Sequence, residues 1–205
     1  MIAIVNYGSG NIRAIGNIFD RCNIAYKVVE KREGFSSEIT KLILPGVGAF
    51  DETMGMLKES GFIEPLNELV LIKKLPILGI CVGMQIMSNH SEEGVLDGLG
   101  WIPGSVKKFD KEFIPYDTKL PHLGWNSINL TRESAIAKNL DLDIGFYFVH
   151  SYYYDCIDEK DVLAFSSYGL KFASAINREN IYGMQFHPEK SHQNGTKLLL
   201  NFAKL

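Results

Sequence analysis

No stretch of this sequence approaches the ~20 apolar residues that a membrane-spanning helix needs, so no membrane role is expected. It also lacks an excess of positive charge. Twenty-one Lys and Arg stand against 24 Asp and Glu, for a net charge of −3. No bulk basic field therefore points to nucleic acid or to an anionic lipid surface. Cysteine is scarce: Cys22, Cys81 and Cys156 are an odd number at wide spacing. That argues against a disulfide framework and for reduced thiols in a cytoplasmic compartment. The opening MIAIVNYGSGN lacks the basic start and the length of a signal peptide. There is no low-complexity tract, internal repeat or linker, and 205 residues suffice for one domain over 1–205 with its own core.

What is present is the composition of an ordinary globule, 46% hydrophobic and 22% charged. The first half alternates strand and helix patterns. Strands are expected over 2–7, 25–29, 42–44 and 76–80. Helices are expected from the possible cap Asn11 toward Cys22, from Asp51 onward, over 62–72, and over the start of 83–88. Such alternation implies a largely parallel sheet covered on both faces. In the second half strand patterns dominate, over 105–109, 127–130, 146–152, 162–166 and 172–176, with Gly and Asp or Asn between them. They read as antiparallel hairpins added to the sheet, or as a small sheet beside it. A core strand over 182–186 and an amphipathic helix over 196–205 follow. The expected fold class is α/β.

Three segments carry chemistry. In Leu78-Gly79-Ile80-Cys81-Val82-Gly83-Met84-Gln85 a strand gives way to a helix, which puts Cys81 on a tight turn between small residues. A nucleophile on such an elbow is exposed at the sheet's C-terminal edge, and a helix N-terminus beside a thiol favours its thiolate. By itself a lone cysteine reads more simply as a small buried hydrophobe. In Gln185-Phe186-His187-Pro188-Glu189 an apolar strand delivers His187 to the same edge. Pro188 restricts His187 to extended dihedrals, and Glu189 can turn back to hold the imidazole. By itself this is equally a surface turn. Two such segments, each at a strand end, fit the Cys-His-carboxylate logic of acyl transfer. The third segment is Pro45-Gly46-Val47-Gly48-Ala49-Phe50, whose glycines let backbone amides face a neighbouring group. One of those amides and that of Val82 could form an oxyanion hole. This segment lacks the Lys-Ser/Thr of a phosphate loop and the third glycine of a dinucleotide fingerprint, and no cofactor is expected. His187 and His192 come without a ligand pattern such as HExxH, and no metal is expected either.

The set GICVGMQ, FHPEKS and PGVGAF resembles the class I glutamine amidotransferases. More narrowly, YGSGN at 7–11, PHLGWN at 121–126 and YFVHSYY at 147–153 are similar to the glutaminase subunits of imidazole glycerol phosphate synthases. The resemblance spans nearly the whole chain. It implies a flavodoxin-like three-layer fold with a mostly parallel central sheet and added antiparallel strands. It implies Cys81 as nucleophile, His187 as general base then acid, and Glu189 as orienting carboxylate. Val47, Gly48 and Val82 match the oxyanion segment, Gln85 and Glu93 the hold on glutamine, and His150, Ser151 and Tyr152 the substrate side of the cavity. Lys190, Asn11, Trp125 and Asn126 resemble positions facing a partner, a (β/α)8-barrel cyclase that receives the ammonia in histidine biosynthesis. Two other readings share these residues: a glutaminase subunit for amidation of surface-polysaccharide sugars, and a non-catalytic subunit on the same fold. The second predicts a broken triad, whereas every member is present.

Overall fold

The computed structural model describes residues 1–117 and 119–205. Its strands are β1 (Ile2–Val5), β2 (Tyr26–Val29), β3 (Lys41–Gly46), β4 (Ile77–Cys81), β5 (His90–Ser91), β6 (Gly104–Lys108), β7 (His122–Asn126), β8 (Asn129–Leu130), β9 (Phe146–His150), β10 (Tyr152–Cys156), β11 (Val162–Tyr168), β12 (Leu170–Arg178) and β13 (Ile181–Met184). Its α-helices are α1 (Ile12–Arg21), α2 (Phe50–Glu59), α3 (Ile63–Asn67), α4 (Val82–Gln85) and α5 (His192–Lys204).

The main sheet runs β2-β1-β3-β4-β13-β12-β10-β6-β5, with β11 and β8 attached beside β12. From β2 to β13 every pairing is parallel. From β13 to β12 to β10 to β6 every pairing is antiparallel. Burial follows the same division at several strands. β1, β4 and the inner residues of β3 are buried throughout, as strands covered on both faces must be, whereas β6 and β9 alternate. The expected mostly parallel sheet with antiparallel additions and helices at its sides is what the chain adopts.

Several local expectations are corrected. Asn11 stands at the N-terminus of α1 but makes no side-chain capping bond. The segment 62–72 is not one α-helix: α3 passes into a π turn over Glu68–Ile72, where Lys73 N–H donates to Glu68 O. The pattern over 146–152 divides at Ser151. β9 pairs with β7 in a separate two-stranded ribbon, while β10 joins the main sheet. Within 127–130 only Asn129–Leu130 is strand. The closing helix begins at His192, four residues earlier than its apolar stripe suggests. Among the described residues no helix is long and apolar enough to cross a membrane.

Candidate active site

β4 ends at Cys81 and α4 begins at the next residue, earlier than the sequence pattern implies and only four residues long. The turn between them is made by Cys81 itself, at φ 55° and ψ −113°. Non-glycine residues avoid such dihedrals, at a cost on the order of 1–3 kcal/mol, unless surrounding packing enforces them. Here the enforcement is backbone against backbone. A Cβ on Gly83 would lie 2.0 Å from Leu44 O, and one on Gly46 would lie 2.5 Å from Gly83 N. Only glycine lets the first turn of α4 press against the end of β3. The result lifts Cys81 from the strand line toward the C-terminal edge of the sheet.

His187 arrives from the neighbouring strand. β13 ends at Met184, two residues before the expected limit; the chain bends at Gln185 and Phe186, and His187 is itself extended. β9 holds this extension: His187 N–H donates to Tyr147 O at 2.9 Å, and Phe186 stacks on Phe146 at 4.0 Å. Ser191 closes the loop, its Oγ–H donating to His187 O at 2.6 Å while Oγ accepts from Tyr147 N–H at 3.0 Å. His187 Nδ1 lies 2.8 Å from Glu189 Oε1, with both side chains almost completely buried. Nε2 is then the ring nitrogen left for sulfur, and the imidazole is also hydrogen-bonded to Cys81. Burial works against a charge on this ring. The hydrogen bonds to Cys81 and Glu189, with their negative charges, outweigh it and raise the His187 pKa above its ordinary value. The arrangement favours an imidazolium set between sulfur and carboxylate.

A cavity of ≈ 410 Å³ opens over this row. Cys81, His187, Val47, Gly48, Val82, Gln85, Glu93, His150, Ser151, Tyr152 and Lys190 line it, together with Pro121 and Val149, which sequence reasoning did not single out. Glu189 lies behind His187, outside that lining. Its Oε2 is buried with no hydrogen-bond partner among the described residues. Glu93 is tied at one oxygen to the start of α2, accepting from Phe50 N–H at 2.8 Å. Val47 is 43% exposed, yet its N–H donates to Ser9 Oγ at 2.9 Å, and the same hydroxyl donates back to Val47 O. Ser9 was legible only as part of the Gly8-Ser9-Gly10 turn. The amide of Val82, first in its helix, has no turn before it in which to find an acceptor.

The residues expected to face a partner are more scattered. Lys190 Nζ sits 5.7 Å from the centre of the Tyr147 ring. Trp125 is 45% exposed and stacks flat on His192, with ring centres 5.3 Å apart. Asn126 is half-buried and its amide is engaged within the chain, donating to Ser167 O at 2.9 Å. Among the described residues no group of three or more His, Cys, Asp or Glu side chains converges as a metal site.

A cysteine on a strained strand-to-helix elbow, faced by a buried His-Glu pair just past the adjacent parallel strand, is an arrangement of the kind that thiol acyl transfer requires. The glutamine amidotransferase class-I family model matches residues 3–205, and the chain belongs to that family. More particularly, it is similar to imidazole glycerol phosphate synthase subunit HisH of Leptospira borgpetersenii, 49% identical over 205 residues and covering 100% of both chains. It is 46% identical over 204 residues to imidazole glycerol phosphate synthase subunit HisH 2 of Methanococcus maripaludis, covering 100% of this chain and 99% of the relative. Among solved structures, PurLQS from Thermotoga maritima aligns with a TM-score of 0.74 at 15% identity, over 99% of this chain and 97% of that one. A glutamine amidotransferase from Thermotoga maritima aligns with a TM-score of 0.64 at 15% identity, over 99% of this chain and 82% of that one. At those identities the likeness is one of fold.

Proposed function

We propose that residues 1–205 act as one domain, the glutaminase subunit of a cytoplasmic imidazole glycerol phosphate synthase. In this reading it hydrolyses glutamine and passes ammonia to a (β/α)8-barrel cyclase in a heterodimer serving histidine biosynthesis. The observation that carries the reading is the row Cys81–His187–Glu189 beneath a cavity that also presents Gln85 and Glu93. Its full-length similarity to synthase subunits supplies the acceptor side of the proposal.

The chemistry follows from the charges. Cys81 sulfur attacks the carboxamide carbon of glutamine, and the backbone N–H groups of Val82 and Gly48 meet the oxygen that becomes negative, the Val47 N–H being held by Ser9 Oγ. The C–N bond breaks as His187 Nε2–H protonates the departing nitrogen, which leaves as ammonia. The thioester has no charge on sulfur, so one of the influences holding the imidazole protonated is gone. His187 can then accept a proton from water as that water attacks the thioester carbon. The C–S bond breaks, glutamate leaves, and the thiolate and imidazolium are restored. Ammonia released into bulk water becomes ammonium, which is a poor nucleophile, so direct passage into the partner preserves it.

The test is reconstitution with the cognate cyclase. Glutamine-dependent product should form with wild type and fall at least ~1,000-fold with Cys81→Ala, the scale of losing a covalent nucleophile. Synthesis from added ammonium salts should persist with Cys81→Ala. Wild-type use of glutamine by Cys81→Ala would overturn the nucleophile. Ammonia transfer to a nucleotide sugar, with none to the cyclase's acceptor, would move the chain to surface-polysaccharide amidation.

A further inference from the structure

A side chain outside the Cys81–His187–Glu189 row also reaches the sulfur. Gln185 is fully buried, and its Nε2 lies 3.8 Å from Cys81 Sγ. An amide side chain has a donating end and an accepting end that a flip exchanges, so which end meets sulfur decides whether the contact helps a thiolate or repels it. Gln185 Oε1 accepts from Gln85 Nε2 at 3.0 Å, which directs the donating end to the sulfur. Gln85 cannot flip in company, because its Nε2 also donates to the backbone oxygen of Tyr152 at 3.2 Å, and a carbonyl only accepts.

The same carbonyl is held from the other side. His150 Nδ1 lies 2.7 Å from Tyr152 O, so Nδ1 carries the proton and Nε2 is bare. That bare nitrogen lies 2.9 Å from His122 Nδ1, which must therefore donate. His122 Nε2 in turn faces Asn126 Nδ2 at 3.3 Å, and that nitrogen also donates to Ser167 O. Two backbone carbonyls thus set the direction of every bond from β7 to the nucleophile. Burial keeps both rings neutral, pushing His122 down to about 4 and His150 to about 3, with the neighbouring ring adding to the second.

We propose that Gln185 is a further catalytic residue: its Nε2–H is the second donor, beside His187, to the sulfur of Cys81, and the Gln85–Tyr152–His150–His122 chain keeps that N–H aimed. The assignment rests on the reading of Cys81 as the nucleophile. Its benefit falls where sulfur carries charge, in the attacking thiolate and again when thiolate leaves the thioester.

The experiment measures the rate of Cys81 alkylation by iodoacetamide against pH, with the site mapped by mass spectrometry. It compares wild type with Gln185→Met, which fills the space without a donor, and Gln185→Glu, which keeps the shape. Loss of a hydrogen bond to a charged group should move the inflection up by about one pH unit and slow alkylation below it about tenfold. A merely structural role would leave that profile unmoved. The second measurement needs no variant. The chain has three glutamines, Gln85, Gln185 and the exposed Gln193, so side-chain 15N labelling yields three amide pairs. The Gln185 pair should shift at the midpoint of the wild-type alkylation profile, while that of Gln193 stays fixed. Superimposable profiles for the variants, or a Gln185 signal that ignores the sulfur, would overturn the proposal. Failure of the underlying reading looks different: wild type itself would then show no preference for labelling Cys81.

Discussion

Two kinds of buried histidine sit within one wall of this molecule and are driven in opposite directions. His122 and His150 are pressed against each other among Phe148, Tyr168 and Phe172, and burial strips them of charge. His187 is as deeply covered, yet it is pushed toward the cation because Cys81 and Glu189 touch it. Burial alone makes an imidazole a fixed dipole with one donor and one acceptor. Burial beside a thiol and a carboxylate pushes it toward the cation instead. The same residue type is therefore neutral in one place and drawn to a proton in the other, and the difference lies in what lies within hydrogen-bonding distance.

Removing the anion from the second environment should collapse the contrast. Glu189→Gln should lower kcat for glutamine hydrolysis by about 10²–10⁴-fold, the range for loss of a triad's orienting carboxylate or its general acid-base function. It should also bring the His187 titration down, as followed by histidine-labelled NMR. Activity within twofold of wild type would mean that Glu189 does not set the charge of that ring.

The neutral pair should reveal itself in acid. An unfolded histidine titrates near ~6.5, whereas these two stay bare until about 4 and about 3. The unfolded chain therefore binds more protons as pH falls, and the stability due to the pair, complete above ~6.5, is lost as pH drops toward 4. Urea unfolding should show a fall of a few kcal/mol between about pH 7 and pH 4. His122→Phe, which suits the stack on Phe148 and Tyr168, should be less stable at neutral pH but flatter with acid. Parallel stability curves would break the argument.

The thiols should separate in the same way. Burial, with Asp161 and Asp155 nearby, pushes the Cys156 thiol up to about 12. Diazo-oxo-norleucine should therefore modify Cys81 and leave Cys156 and Cys22 largely intact by peptide mapping, and preferential labelling of either would contradict the site. The smallest effect is expected at Lys190. An exposed cation over an aromatic face contributes only about 0.5–1 kcal/mol. Lys190→Ala should keep the unfolding midpoint in urea within that margin and lower partner-stimulated glutaminase several-fold. Superimposable titrations with the cyclase, in midpoint and plateau, would return Lys190 to the solvated surface.

The parallel half was readable because its strands are short apolar runs with the candidate site residues at or just past their ends: Cys81 closes β4, and Val47 follows Gly46 at the end of β3. The His187-Pro188-Glu189 turn was readable for the same reason. The pairing that makes the β7–β9 ribbon was not. Its first strand contains Gly124 at positive φ and follows Pro121, which read locally as turn chemistry, and its partner lies beyond residue 145. Pairing across that distance leaves no local period. The His122–His150 contact is hidden likewise, since 28 residues of separation carry no spacing signal. Gln185 had a signal that went unused: a polar side chain between Met184 and Phe186 in a core segment is the informative kind of buried residue. The hold of Ser9 on Val47 had none, because a hydroxyl in a glycine turn gives no hint of what it will touch.

The order of strands has a consequence for how the chain is made. β4 is flanked by β3, synthesised earlier, and by β13, which begins a hundred residues after Cys81. While the intervening residues emerge from the ribosome, the far edge of β4 stands unpaired, an apolar strand with free N–H and C=O groups of the kind that recruits other chains. A translation product that stops before Ile181 retains that open edge and lacks His187, so it is prone to aggregate. For this chain, quality control of unfinished protein matters most during the interval between making Cys81 and making His187.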